Sequence, residues 1–249
     1  MNTTFLLLFI IGSIIGSFLN VVIYRLPLNL SIVMPRSFCT HCKKIIPFYR
    51  NIPIVSYIIQ GGKCNECNKN ISIQYPLIEF IIALNLVLSF YKYSIPESIF
   101  YFLVSSILIC ICIIDYKYFI IPLSLVFSSL VILIIYIICF TNPLYHVYGM
   151  LVGTGYLSFI FIITWIATKK QPLGFGDIQL MIILGLFLGP LKILLTIFFS
   201  AILGILYWIF LSYKNGFKKD LKLPFGTFLC FVSILMYLIP FNWDLLRFT

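Results

Sequence analysis

The sequence predicts an all-α polytopic membrane protein with about eight transmembrane helices and a small polar loop domain between helices 1 and 2. Of its 249 residues, 62% are hydrophobic and 10% are charged, whereas soluble domains are about half apolar and about a quarter charged. Apolar runs of near-bilayer length, about 20 residues, recur along the chain. This composition excludes disordered, collagen-like and disulfide-rich secreted classes.

Eight apolar runs predict the helices, and proline and glycine clusters separate them. The runs cover residues 4–24, 75–91, 98–115, 119–140, 147–167, 177–191, 192–212 and 224–240. The first run has no basic residues before it and is longer than the core of a signal peptide, so we expect a retained helix and not a cleaved leader.

The positions of the basic residues predict the orientation of the chain. If the N-terminus is outside, only Lys92, Lys192 and Arg247 of the 17 Lys and Arg residues face outward. The remaining 14 then lie in cytoplasmic loops, and the positive-inside rule favours an N-out, C-out arrangement. Because these charges are spread over four loops, the net charge of +10 labels topology and does not indicate a nucleic-acid partner.

Residues 25–74 form the one long polar segment, and they carry two C-x-x-C pairs, Cys39/Cys42 and Cys64/Cys67. Two such pairs can bring four thiolates onto one tetrahedral Zn(II) ion. The charge pattern places the loop in the reducing cytoplasm, where disulfides are disfavoured. We therefore expect a structural zinc site; unmetallated thiols or a redox pair are the alternatives. His41 is a further possible ligand, although four cysteines already fill the coordination sphere.

Only seven carboxylates are available for acid-base chemistry, and the predicted topology sorts them. They are Glu66, Glu79, Glu97, Asp115, Asp177, Asp220 and Asp244. Glu97 and Asp244 fall on the outer side, and Glu66 and Asp220 lie among lysines in cytoplasmic loops, where solvated roles are expected. Glu79 either lines a shared site or neutralises the basic loop.

Asp115 closes the third apolar run and Asp177 opens the sixth, so both belong to the cytoplasmic membrane boundary. Two aspartates in a partly apolar site share a proton, and one can activate water while the other protonates an amide. Helix ends favour Asp177 as the anion and Asp115 as the acid. Gly174 and Gly176 would let a substrate strand approach. The alternative is an ion pair of either aspartate with Lys117 or Lys170.

An ordered set of motifs resembles the bacterial type IV prepilin peptidases, which are membrane aspartyl proteases of the G-x-G-D type. The motifs are residues 16–27 (GSFLNVVIYRLP), 51–57 (NIPIVSY), 71–79 (ISIQYPLIE), Asp115 with Ile121 and Pro122, 173–177 (LGFGD) and 224–229 (PFGTFL). Together they span nearly the whole chain. Lys117 and Leu123 stand where relatives often have further acids, which leaves Asp115 as the only acid of its motif.

The resemblance implies that Asp115 and Asp177 are the catalytic pair and that Cys39, Cys42, Cys64 and Cys67 are the zinc ligands. It implies cleavage of the basic leader of type IV prepilins or pseudopilins after a glycine, at the cytoplasmic face of the inner membrane. It also implies N-methylation of the new N-terminus with S-adenosylmethionine, whose binding residues are unknown.

The implied domains are a first transmembrane helix at 1–24, a cytoplasmic zinc-binding loop domain at 25–74 and a seven-helix membrane peptidase domain at 75–249. Two other functions fit the pattern less well. A non-catalytic scaffold or transporter should have ionisable groups near mid-membrane, whereas these acids cluster at one face. A preflagellin or Tad-type peptidase usually lacks the cysteine loop.

Overall fold

The computed structural model describes residues 2–169, 174–216 and 222–239. These ranges contain nine α-helices and no strand, and two isolated antiparallel bridges lie in the loop between α1 and α3. The helices are α1 (Asn2–Arg25), α2 (Val55–Ile59), α3 (Gln74–Lys92), α4 (Ile95–Tyr118), α5 (Leu123–Phe140), α6 (Pro143–Thr168), α7 (Phe175–Leu188), α8 (Pro190–Asn215) and α9 (Phe225–Leu238).

Each of the eight predicted apolar runs forms one helix, and the five-residue α2 lies in the polar loop. Six helices of the described ranges are long and apolar enough to cross a membrane: α1, α3, α4, α5, α6 and α8. The apolar helices α7 and α9 have 14 residues each, which is about 21 Å of helix against a hydrocarbon core of about 30 Å. The prediction of an all-α polytopic membrane protein is confirmed.

The sixth and seventh apolar runs, predicted to divide between residues 191 and 192, form two helices that divide slightly earlier, at Gly189. Gly189 separates α7 from α8 and has a φ of +77°, a conformation that favours glycine. Pro190 then occupies the first position of α8, where its missing N–H leaves no helical hydrogen bond unmade.

The chain divides into two compact units, Met1–Ser106 and Ile107–Thr249. In the first unit α1 packs along α3, and two glycines of α1 permit the close approach. A Cβ atom at Gly12 would lie 2.6 Å from the Cα of Ala83, and one at Gly16 would lie 2.7 Å from the Cα of Glu79. The two backbones are therefore in direct contact beside Glu79.

In the second unit α7 is the central helix, because it packs against α5, α6, α8 and α9. Its contact with α6 depends on glycine. A Cβ atom at Gly149 of α6 would lie 2.6 Å from the Cα of Gly189, and one at Gly185 of α7 would lie 2.6 Å from the Cα of Met150. This packing buries most of α7, including Asp177 in its first turn.

Candidate active site and metal centre

The structure brings together the four cysteines of the polar loop. Their sulfur atoms all lie within 4.8 Å of one another, and the sulfurs of Cys39 and Cys67 are 3.9 Å apart. When four thiolates share one tetrahedral Zn(II) ion with Zn–S bonds of about 2.3 Å, their sulfur atoms lie about 3.8 Å from one another. The donor set and its spacing therefore fit a tetrahedral zinc ion, and each C-x-x-C pair contributes two ligands from one tight turn.

The two turns have the same backbone construction. The N–H of Lys43 donates to the carbonyl of Cys39, and the N–H of Asn68 donates to the carbonyl of Cys64, at 2.9 and 2.8 Å. Lys43 and Asn68 both have positive φ angles, +60° and +56°. Each turn thus reverses the chain directly after its second cysteine, which aims both sulfur atoms of the pair to one side.

Glu66, which lies between Cys64 and Cys67, forms two ion pairs next to the cluster. The Nζ atom of Lys44 lies 2.6 Å from Oε2 of Glu66, and Arg50 lies 3.6 Å from the other oxygen. The hydrogen bond and attraction between Lys44 and Glu66 raise the pKa of the lysine and lower the pKa of the carboxyl. Backbone N–H groups of Cys67 and Glu66 lower the pKa of Cys64 to about 7, whereas burial and the neighbouring cysteine side chains raise the pKa of Cys67 to about 11. A metal ion that binds all four sulfur atoms would displace the remaining thiol protons.

Two buried side chains fasten the loop to the helices of its own unit. Arg25, only 4% exposed, donates to the carbonyls of Ser31, Pro35 and Arg36 at 2.8 to 3.2 Å. Glu79 of α3 accepts a hydrogen bond of 2.7 Å from the N–H of Ile54. The sequence identified Arg25 only as a topology charge; its place at the end of an apolar helix, before a loop with free carbonyls, was the available signal.

Asp115 and Asp177 are both buried in the second unit. Asp115 lies in the last turn of α4 and is 5% exposed, and Asp177 lies in the first turn of α7 and is 9% exposed. They are close enough for their charges to interact. Ile121 lies beside both sites: a Cβ atom at Gly176, the residue before Asp177, would lie 3.2 Å from the Cβ of Ile121. A Cβ atom at Gly226 would lie 2.9 Å from Cδ1 of Ile121 and 3.1 Å from Oδ2 of Asp115.

Each aspartate accepts hydrogen bonds at the N-terminus of a helix. Oδ2 of Asp177 accepts from the N–H of Gly174, at the start of its own helix, at 3.3 Å. Oδ2 of Asp115 accepts from both the N–H and the hydroxyl of Thr227 in α9, at 2.7 and 2.9 Å. The sequence predicted that helix ends favour Asp177 as the anion and Asp115 as the acid. Because Asp115 also lies at the N-terminus of α9, helix ends do not decide which of the two aspartates is the anion.

The two glycines of the G-x-G-D motif have structural roles that the sequence did not indicate. A Cβ atom at Gly176 would lie 3.2 Å from the Cβ of Ile121, so this glycine allows α7 to pack against Ile121. Gly174 is the N-cap of α7, and its N–H binds Asp177. Leu173 of the motif, Lys170, and two further acids, Asp220 and Asp244, lie outside the described residues.

Two family models match the chain in sequence order. One, described as Bacterial Peptidase A24 N-terminal domain, matches residues 10–93, which include the cysteine cluster and Glu79. The other, described as Type IV leader peptidase family, matches residues 102–209, which include both buried aspartates.

Curated relatives match over nearly their full length. A protein of Bacillus subtilis (strain 168) named "Prepilin leader peptidase/N-methyltransferase" is 33% identical over 233 residues, which is 93% of either chain. Proteins of the same name from Legionella pneumophila and Vibrio cholerae are each 30% identical, over 89% and 95% of this chain and 86% and 98% of their own. No solved structure matches the chain.

The membrane-length helices, the four-cysteine cluster and the two buried aspartates define a polytopic membrane protein with a loop that could hold a metal ion and with buried acids in its second unit. The chain belongs to the type IV leader peptidase family, the bacterial prepilin peptidases. The resemblance seen in its sequence motifs is thereby confirmed.

Proposed function

We propose that the chain is a membrane aspartyl endopeptidase that removes the basic leader from type IV prepilins or pseudopilins, after a glycine. The proximity of the buried Asp115 and Asp177 carries this proposal, because two acids that share a proton are what aspartyl proteolysis requires. The family match supports the substrate class, since the relatives are named as prepilin leader peptidases.

In the proposed reaction the pair works as one acid and one base. The ionised carboxylate takes a proton from a water molecule, and the water oxygen attacks the carbonyl carbon of the scissile bond. The protonated partner donates its proton to the leaving amide nitrogen. Both groups are buried, and two nearby carboxyl groups in surroundings of low polarity cannot both ionise easily. The proposed reaction needs such a pair, with one carboxyl group protonated and the other ionised.

We propose that Cys39, Cys42, Cys64 and Cys67 hold a structural zinc ion in residues 25–74, which form the loop domain between helix 1–24 and the peptidase domain at 75–249. Zinc would cross-link the two cysteine turns and stabilise a loop with few apolar contacts of its own. We further propose N-methylation of the new N-terminus with S-adenosylmethionine. Its support is the printed name of the relatives.

We propose that the protein lies in the bacterial cytoplasmic (inner) membrane with both termini outside, and with the loop and the aspartates on the cytoplasmic side. The distribution of Lys and Arg supports this orientation. A prepilin in the same lipid bilayer would present its basic leader at this face. The partners are thus membrane-embedded prepilins or pseudopilins and lipid, and no nucleic acid.

Purified protein incubated with a prepilin tests the two activities together. We expect mass spectrometry to show a mature product that begins after the leader glycine. With S-adenosylmethionine added, the product should gain the mass of one methyl group. An uncut prepilin would contradict the peptidase, and a cut product without added mass would contradict methylation alone.

A further inference from the structure

Thr227 contacts one of the two proposed catalytic aspartates with two donors. Its backbone N–H and its hydroxyl both donate to Oδ2 of Asp115, at 2.7 and 2.9 Å. The same hydroxyl lies 3.1 Å from the carbonyl oxygen of Cys112, one turn earlier on α4. Thr227 therefore joins the first turn of α9 to the last turn of α4, and it does so at the side chain of Asp115.

The approach of α9 to Asp115 depends on the residue before Thr227. A Cβ atom at Gly226 would lie 3.1 Å from Oδ2 of Asp115 and 2.9 Å from Cδ1 of Ile121. A larger residue at this position would therefore require Ile121 and the Asp115 carboxyl group to shift. The N–H of Thr227 is one of the first N–H groups of α9, which have no carbonyl partner within their own helix, and the Asp115 carboxylate satisfies it.

The hydroxyl of Thr227 can serve Asp115 in either protonation state. When Asp115 is ionised, the hydroxyl proton points to Oδ2. When Oδ2 carries a proton, that proton can be donated to the Thr227 oxygen while the hydroxyl proton turns to the carbonyl of Cys112. A hydroxyl is both donor and acceptor, so Asp115 keeps a partner through a reaction cycle in which its proton comes and goes.

We infer that Thr227 is a positioning residue that holds the carboxyl group of Asp115 in its reactive orientation in both protonation states. This inference rests on the proposed function, because it assigns Thr227 a role only if Asp115 is catalytic. A methyl group in place of the hydroxyl would leave the backbone N–H bond intact and would remove the partner that adapts to the protonation state.

The test compares Thr227→Val with Thr227→Ser in prepilin cleavage, with kcat and KM measured separately. Thr227→Val should lower kcat by about ten- to a hundredfold with KM unchanged, as expected for a lost hydrogen bond to a charged group in the reaction. Thr227→Ser retains the hydroxyl and should stay within about threefold of the wild type. Thr196→Val is the matched control, because Thr196 is buried and its hydroxyl bonds the Lys192 carbonyl of its own helix.

The outcomes separate this inference from the proposed function. Wild-type kcat in Thr227→Val, or an equal loss in Thr227→Ser or Thr196→Val, would overturn the positioning role. The variant Asp115→Asn, measured in the same assay, decides the other question: if it is inactive while Thr227→Val is fully active, the proposed function stands and the inference fails. If Asp115→Asn still cleaves, the proposed function fails.

Discussion

At the residue scale, the cysteine cluster depends on all four of its sulfur atoms. The sulfurs of Cys39 and Cys67 lie 3.9 Å apart although 28 residues separate them. Thiolates held this close repel one another unless a cation is shared between them. The loop around them is fastened by Arg25 and Glu79, and the two cysteine turns are joined by the exposed ion pair of Lys44 and Glu66. Because an exposed ion pair contributes little stability, a metal ion would supply the stronger connection.

We therefore expect that Cys67→Ser abolishes zinc binding, whereas replacing a cysteine outside the cluster leaves the zinc content unchanged. Purified wild-type protein should contain about one zinc ion per chain, and Cys67→Ser close to none, by elemental analysis. Cys139→Ser is the matched control, since Cys139 is a free, exposed cysteine of α5. Equal zinc content in the two variants would contradict a four-cysteine site.

Candidate site residues could be predicted from the sequence where they form a recognisable pattern of neighbouring residues. The C-x-x-C pairs, whose sulfur atoms the structure brings together, and the acids at the ends of apolar runs, which remain candidates, were identified in this way. Thr227 was missed as a partner of Asp115 because 112 residues separate them, and a threonine at the start of an apolar helix has many ordinary roles. A contact made only by the packing of distant helices leaves no periodic or local signal.

At the element scale, the second unit depends on how closely α6 and α7 approach. The surfaces in contact contain Gly149 and Gly185, and a Cβ atom at either would collide with the backbone of the other helix. The short helix α7 carries Asp177 in its first turn. Its position among α5, α6, α8 and α9 therefore fixes the backbone of one proposed catalytic residue.

Gly149→Ala should destabilise the protein, because overpacking of a close contact costs about 1–3 kcal/mol. In a chain of this size such a loss lowers the melting temperature by about 2–10 °C. Gly155→Ala, on the same helix, is the matched control, since a Cβ atom there meets nothing within 4 Å. Melting curves in detergent measure both, and a Gly149→Ala variant as stable as Gly155→Ala would contradict this packing.

Hydrophobicity predicted all eight apolar helices but not every helix end. The fourth apolar run was expected from residue 119, yet α5 begins at Leu123. Phe119 has a φ of +56°, and Pro122 is the extended N-cap of α5. A proline also disfavours helix in the residue before it, which is Ile121. Apolar side chains continue through this turn, so hydrophobicity alone could not locate the first residue of α5.

At the scale of the whole molecule, the chain is mostly hydrophobic and has only seven acidic residues, so the position of each described acid can be considered in turn. Of the described acids, Glu66 is in an exposed ion pair and Glu79 binds a loop N–H. Among the acids that the structure describes, Asp115 and Asp177 are the two that are buried and whose charges interact with each other. Burying acids in a membrane protein costs free energy, and the proposed catalysis gives a reason for this arrangement. The net charge of +10 has a separate explanation, the proposed orientation.

The measurement that tests the central claim most directly is prepilin cleavage by Asp115→Asn and Asp177→Asn. Asparagine preserves the size of each side chain but can neither take up nor release the catalytic proton. Glu97→Gln is the matched control, because Glu97 lies in the first turn of α4, the helix whose last turn carries Asp115. We expect no product from either aspartate variant and wild-type cleavage from the control. Cleavage by either aspartate variant at the wild-type rate would contradict the account.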